Sequence, residues 1–199
     1  ETGIDYLLIP EKKDIETFSR PFDVKLEPKE ITEDLCGKYR PGHFLAVIDI
    51  VHRFFQIVKP KNILLGRKDY QQIIAISELI KIYNYNIDII SSDTVRNKNG
   101  LALSSRNNLL SKEEMKTANE IYRSLLLSKQ LYNNNVPLNE IIAKIYKVFE
   151  KSEIKLEYFS IRDLKTLQHR NDSDLIALIA VYLGDIRLID NIIIKSRAV

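Results

Sequence analysis

Asn62-Ile63-Leu64-Leu65-Gly66, running straight into Arg67-Lys68-Asp69-Tyr70-Gln71-Gln72, is the stretch on which the fold turns. The first part is a short apolar run closed by a glycine, which reads as a buried strand. The second opens a helix over Asp69 to Tyr83, with Ile73, Ile76, Ile80 and Tyr83 on one side. Just upstream, Phe44, Val47, Ile48, Val51, Phe54, Phe55 and Val58 recur in steps of three and four, a helical stripe that Pro60 ends. Downstream, Ile87-Asp88-Ile89-Ile90 reads as the next strand. Two earlier strands are expected. One is Tyr6–Ile9, stopped by Pro10; the other is Phe22–Leu26, where Phe22, Val24 and Leu26 alternate with Asp23 and Lys25. Strand and helix in alternation predict an α/β unit with a Rossmann-like, doubly wound parallel sheet.

The pattern changes after about Asn108. Ser111-Lys112-Glu113-Glu114 is a capping box that opens a helix running to Asn133-Asn134-Asn135. A further helix is expected over Leu138 to Lys151. Strands follow at Leu156–Ile161, Leu175–Leu183 and Arg187–Ile194, the last two joined at Gly184-Asp185 as an antiparallel hairpin. The expected organisation is therefore residues 1–107, the later part of a Rossmann-like nucleotide-binding unit, and residues 108–199, a small α+β lid.

Composition narrows the function. A net charge of +3, with lysines and glutamates interleaved, does not concentrate the basic face that nucleic-acid binding needs. No apolar run approaches the ~20 residues that span a bilayer. The single cysteine, Cys36, excludes an internal disulfide framework and points to a reducing, cytoplasmic setting. The sequence opens Glu1-Thr2-Gly3 without a methionine, so we expect it to be part of a longer chain.

Three clusters carry chemistry. Gly66 to Gln72 lies where a strand ends and a helix begins, the place where open α/β sheets bind ligands. Gly66 permits close approach, helix amides favour an anion, Lys68 adds a point charge and Asp69 can cap the helix or accept from ribose hydroxyls. An ordinary strand-to-helix turn with a surface lysine fits the same residues. Gly100-Leu101-Ala102-Leu103-Ser104-Ser105-Arg106-Asn107 offers two hydroxyls and a guanidinium to a polyphosphate, or is a polar linker. Arg40-Pro41-Gly42-His43-Phe44 enters the long helix. There the dipole disfavours protonated His43, which is either a neutral site group or a structural residue. His52 and His169 read as structural or exposed, Cys36 reads as a small apolar residue rather than a nucleophile, and no Cys/His spacing resembles a zinc site.

Taken together, Leu35-Cys36-Gly37, Arg40-Pro41-Gly42-His43-Phe44, Gly66 to Gln72 and Gly100 to Asn107 stand in the order and at the spacing of the pantothenate synthetase family, which the chain resembles. Ala180 to Asn191 resembles that family's C-terminal hairpin. The resemblance implies an ATP-dependent ligase that joins pantoate to β-alanine through a pantoyl-adenylate, releasing pyrophosphate and then AMP. It implies that Gly66, Arg67, Lys68 and Asp69 hold ribose and phosphates, and that the Val95 backbone meets adenine. It implies that Leu103, Ser104, Ser105 and Arg106 close over the triphosphate, that Gln72 binds pantoate, and that the enzyme is a homodimer using Mg2+. Lys68, Ser104, Ser105 and Arg106 are the implied stabilisers of the reacting phosphates. Arg40 and His43 match the motif without an implied role. Cys36 and Arg67 each stand where the family commonly has Glu. The family's Met-Gly-x-Leu-His-x-Gly-His loop, its Asn-Pro-x-Gln-Phe segment and its magnesium-holding acids precede the part matched here, so the 199 residues by themselves are expected to be inactive. Two other readings remain: a different Rossmann nucleotidyl-transferring or aminoacyl-adenylating enzyme, and a non-catalytic module dimerising through the helix Phe44–Val58.

Overall fold

The computed structural model describes all residues except 1, 2, 4, 25, 27, 28, 171–173 and 195–199. Short helices α1 (Lys12–Thr17), α2 (Glu30–Glu33) and α3 (Cys36–Tyr39) lead into the long α4 (His43–Val58). Strand β1 (Asn62–Gly66), a 3-10 turn over Arg67–Asp69, α5 (Tyr70–Ile82) and β2 (Asp88–Ser92) follow. After a loop come α6 (Lys112–Thr117), α7 (Asn119–Asn133), α8 (Leu138–Phe149), β3 (Lys155–Asp163), β4 (Leu175–Leu183) and β5 (Ile186–Ile194).

β1 and β2 pair in parallel, from Asn62 opposite Asp88 to Gly66 opposite Ser92, with α5 as the crossover. Ile63, Leu65 and Ile89 pack on the core that contains the inner faces of α4 and α5. Leu64 and Ile90 point away and are exposed. The α/β class expected from the sequence holds, and among the described residues the parallel sheet has these two strands with one covered face. β3, β4 and β5 form a separate antiparallel sheet with β4 in the middle.

That middle position explains why Leu175–Leu183 is an unbroken apolar run. Leu175, Ala177, Ile179, Val181 and Leu183 face the core built with α7 and α8. Ile176, Leu178 and Ala180 face the other core, shared with Leu35, Phe44, Ile48, Phe55 and Ile76. One strand of period two thus supplies a wall to both cores. Side chains on either face that sit at or below 4% exposure leave no place for a polar residue.

Three expectations need correction. Tyr6–Ile9 is not a strand: these residues are 78–93% exposed and, among the described residues, no strand lies beside them. Phe22–Leu26 is not a strand either (Lys25 lies outside the described residues). Side chains from helical and loop positions take its amides: the Phe22 N–H donates to Asp49 Oδ1 at 2.8 Å, and Asp23 N–H to Tyr83 Oη at 3.5 Å. Those two amides are therefore not available to a ladder. The helix expected from Ser111 to Asn133 is divided at Ala118, although its capping box forms as read, with Ser111 Oγ accepting the Glu114 N–H and Glu114 accepting the Ser111 N–H.

Candidate active site

Lys68 stands between two adjoining cavities. The larger lies beyond the carboxyl end of β1 and is lined in part by Arg40, His43, Lys68, Asp69, Gln72 and Asn191. The smaller takes Lys68 on one side and Ser104, Arg106 and Arg187 on the others. The three sequence clusters, separated by long stretches of chain, therefore converge. The turn that carries Lys68 is placed by β5: Asn191 Nδ2 donates to the carbonyls of Arg67 and Lys68 at 2.8 and 2.9 Å. Lys68 Nζ lies 4.0 Å from Asp69 Oδ1.

Arg40 and His43 acquire a definite relation. Arg40 Nη1 is 2.8 Å from His43 Nε2. A guanidinium can only donate, so Nε2 accepts and the imidazole is neutral, with its proton on Nδ1. Burial, and then the Arg40 and Arg187 charges, hold the His43 pKa below its usual value, which agrees. Burial lowers the Arg40 pKa, and the nearby Arg187 and Arg106 charges lower it further. Arg40, Lys68, Arg106 and Arg187 make a cationic site in which an anion would be held by charge and by hydrogen bonds together.

The loop after β2 is folded on itself. Leu103 N–H donates to the Val95 carbonyl at 2.9 Å, Ser104 Oγ accepts the Arg106 N–H at 3.3 Å, and Arg106 Nη1 donates to the Arg187 carbonyl at 3.2 Å. Ser104 and Arg106 face the smaller cavity, whereas Ser105, Leu103 and Val95 are exposed outside it. Arg67 turns away from both cavities and pairs with Asp93 at 2.6 Å, at the rim of a separate cleft. Gly66 ends β1 with open space where a side chain would stand. Gln72 lines the larger cavity, while its neighbour Gln71 is buried and structural, accepting the Cys36 N–H at 3.0 Å and donating to the Ile31 and Asp34 carbonyls.

Sequence reasoning passed over a second set. Cys36 Sγ lies 3.1 Å from Tyr158 Oη and 3.4 Å from Arg187 Nη2, and Arg187 is clamped by Glu157. Burial pushes the Tyr158 hydroxyl well above its usual pKa. Burial by itself would lower Arg187, but the Glu157 carboxylate holds its pKa above the ordinary arginine value. Arg96 makes a two-pronged pair with Asp190 at 2.5 and 2.9 Å and covers the Tyr122 ring at 3.9 Å. The available signal was polarity in the wrong place: Arg187, Asp190 and Asn191 interrupt β5, which is otherwise apolar. Glu157 sits in a strand of mixed polarity that gives no such signal.

The family model described as pantoate-beta-alanine ligase matches residues 1–193. The pantothenate synthetase of Coprothermobacter proteolyticus is 38% identical over 99% of this chain and 71% of its own length. That of Marinomonas sp. is 36% identical over 96% of this chain and 68% of its own. Among solved structures, pantothenate synthetase from Thermus thermophilus superposes with a TM-score of 0.86 at 30% identity, covering 97% of this chain and 71% of that one. Pantoate-beta-alanine ligase from Francisella tularensis, complexed with beta-gamma ATP and beta-alanine, gives 0.65 at 36% identity, covering 87% and 58%.

Proposed function

Because the chain belongs to the pantoate-beta-alanine ligase family of ATP-dependent ligases, we propose that the two cavities joined at Lys68 are the adenylation site of the reaction. A pantoate carboxylate oxygen attacks the α-phosphorus of ATP. The bond to the bridging oxygen breaks, and its electron pair leaves with pyrophosphate. The amine of β-alanine then attacks the acyl carbon, loses a proton and displaces AMP. No bond to the protein is required, so the side chains act by placement and by charge.

Lys68 and Arg106, with the Ser104 hydroxyl, meet the phosphates from the smaller cavity, and Ser105 and Leu103 follow as the loop closes. Asp69 and the Gly66–Arg67 backbone take the ribose, and the Val95 backbone takes the adenine. Gln72 holds pantoate in the larger cavity. Arg40, kept in place by neutral His43, faces the carboxylate side. Magnesium would enter with the nucleotide. Among the described residues no cluster of three His, Cys, Asp or Glu side chains stands ready to hold a metal, and no step here runs through it. Residues 1–107 carry the nucleotide-facing wall and residues 108–199 close over it. The enzyme is read as a cytoplasmic homodimer, and among the described residues no helix is long and apolar enough to cross a membrane.

The observation that carries this reading is Lys68 lining both cavities. Titration calorimetry with ATP should give binding to the chain that Lys68→Ala weakens by about tenfold or more, the size expected for a lost charge-assisted contact. Equal affinities would overturn the assignment.

A further inference from the structure

Arg187 has one corner of its guanidinium unaccounted for. Nε reaches both Glu157 oxygens at 3.2 and 3.1 Å, and Nη2 reaches Glu157 and Cys36 Sγ at 2.5 and 3.4 Å. Nη1 is buried and has no hydrogen-bond partner among the described residues. The side chain as a whole is only 10% exposed. A buried charged donor without an acceptor is costly and uncommon, so a donor left over in this way points to a group that arrives from outside.

The surroundings say what that group is. Arg187 lines the smaller cavity with Lys68, Ser104 and Arg106. Arg40 and Arg106 lie close enough for the three guanidiniums to act on one another. Against these stands Glu157, already taken up by the other two corners of Arg187. The missing partner is therefore an anion with several oxygens. The clamp also makes Arg187 unlike Lys68 and Arg106. It is held rigidly from two sides before anything binds, which is the condition under which a hydrogen bond is worth most to a transition state.

We propose that Arg187 is a further phosphate-binding residue of the ligase. Its Nη1 donates to a non-bridging oxygen of the departing pyrophosphate, and Glu157 is the positioning residue that aims it. As the bond from the α-phosphorus breaks, negative charge grows on the β-phosphate oxygens. Arg187 stabilises it without giving up a proton. This rests on the reading of the smaller cavity as the phosphate site.

The test is calorimetric titration of the chain with inorganic pyrophosphate. The wild type should bind. Arg106→Gln, Arg187→Lys and Arg187→Gln should each weaken binding by about tenfold or more, and Glu157→Gln by less, because it leaves Nη1 in place. Arg187→Lys keeps a cation for Glu157 while removing the second amino group, so it separates recognition from folding. The thermal midpoint of each variant is read alongside. The wild-type protein supplies a measurement free of substitution: the Arg187 side-chain ¹⁵N–¹H resonances should shift on adding pyrophosphate. If Arg106→Gln weakens binding but Arg187→Lys binds within twofold of wild type and the resonances stay still, the proposal for Arg187 fails alone. If the wild type binds no pyrophosphate, the phosphate-site reading falls, and this proposal with it.

Discussion

Asn191 presents one amide to two carbonyls, those of Arg67 and Lys68, from a strand that lies 124 and 123 residues further along the chain. Replacing it by Asp turns that donor into an acceptor facing two other acceptors. We expect Asn191→Asp to lower stability by about 1–3 kcal/mol, the penalty for buried polar groups left unpaired, and to weaken ATP binding because Lys68 loses its support. Denaturant unfolding and calorimetry read the two effects separately. Gly100 is constrained differently. Its φ is +93°, and a Cβ there would collide with the Tyr122 ring that carries Arg96. Gly100→Ala should cost more than about 1 kcal/mol and should free Arg96 from its stack, which the thermal midpoint would register. Lys68 was legible in the sequence because its meaning is local: the end of a strand, a glycine, the start of a helix. Asn191 and Arg187 were not, since their roles depend on which distant loop β5 is laid against, and no spacing along the chain encodes that.

At the scale of elements, α4 shows what pattern can and cannot reveal. Its stripe of Phe44, Ile48 and Phe55 was readable and is buried. The fourth buried member is His52, for which the sequence left a structural and an exposed reading open; it is structural. Its ring is enclosed by Phe22, Tyr83 and Tyr85, and Nδ1 lies 3.0 Å from Tyr85 Oη. Burial holds the His52 pKa below its usual value, with Asp49 and Asp23 opposing and Arg53 assisting, and His43 is shifted the same way. Both imidazoles therefore bind protons more readily in the unfolded chain. The stability they favour is present above the unfolded pKa of about 6.5 and is lost as pH falls below it. Thermal melts between about pH 7 and pH 5 should show that decline, and His52→Gln should flatten it. A melting temperature constant across the range would contradict this account. The strand expected at Phe22–Leu26 failed for a related reason: alternation signals a face to be buried, but here a loop buries only Leu26 and part of Phe22, leaves Val24 42% exposed, and gives the Phe22 and Asp23 amides to side chains.

For the molecule as a whole, α4 still carries exposed apolar side chains, Leu45, Ile50, Phe54, Ile57 and Val58. Phe54 and Val58 were expected on the buried stripe and are not buried, because only the face of Phe44, Ile48, His52 and Phe55 meets the core. Patches of this kind favour association. If the chain forms a homodimer through this face, Phe54→Glu should shift sedimentation from dimer to monomer without altering the thermal midpoint of the monomer, and an unchanged dimer would exclude this face. The middle strand β4 carries a consequence of another sort, concerning synthesis. The inner wall of the amino-terminal core is formed partly by Ile176, Leu178 and Ala180, residues translated only after all the helices of the fold. Until they emerge, Phe44, Ile48 and Ile76 can gather with Phe55 and Leu79 of the same cluster but lack that wall. The first core therefore closes fully only once β4 has been made, and its exposure to chaperones and proteases is the longer for it.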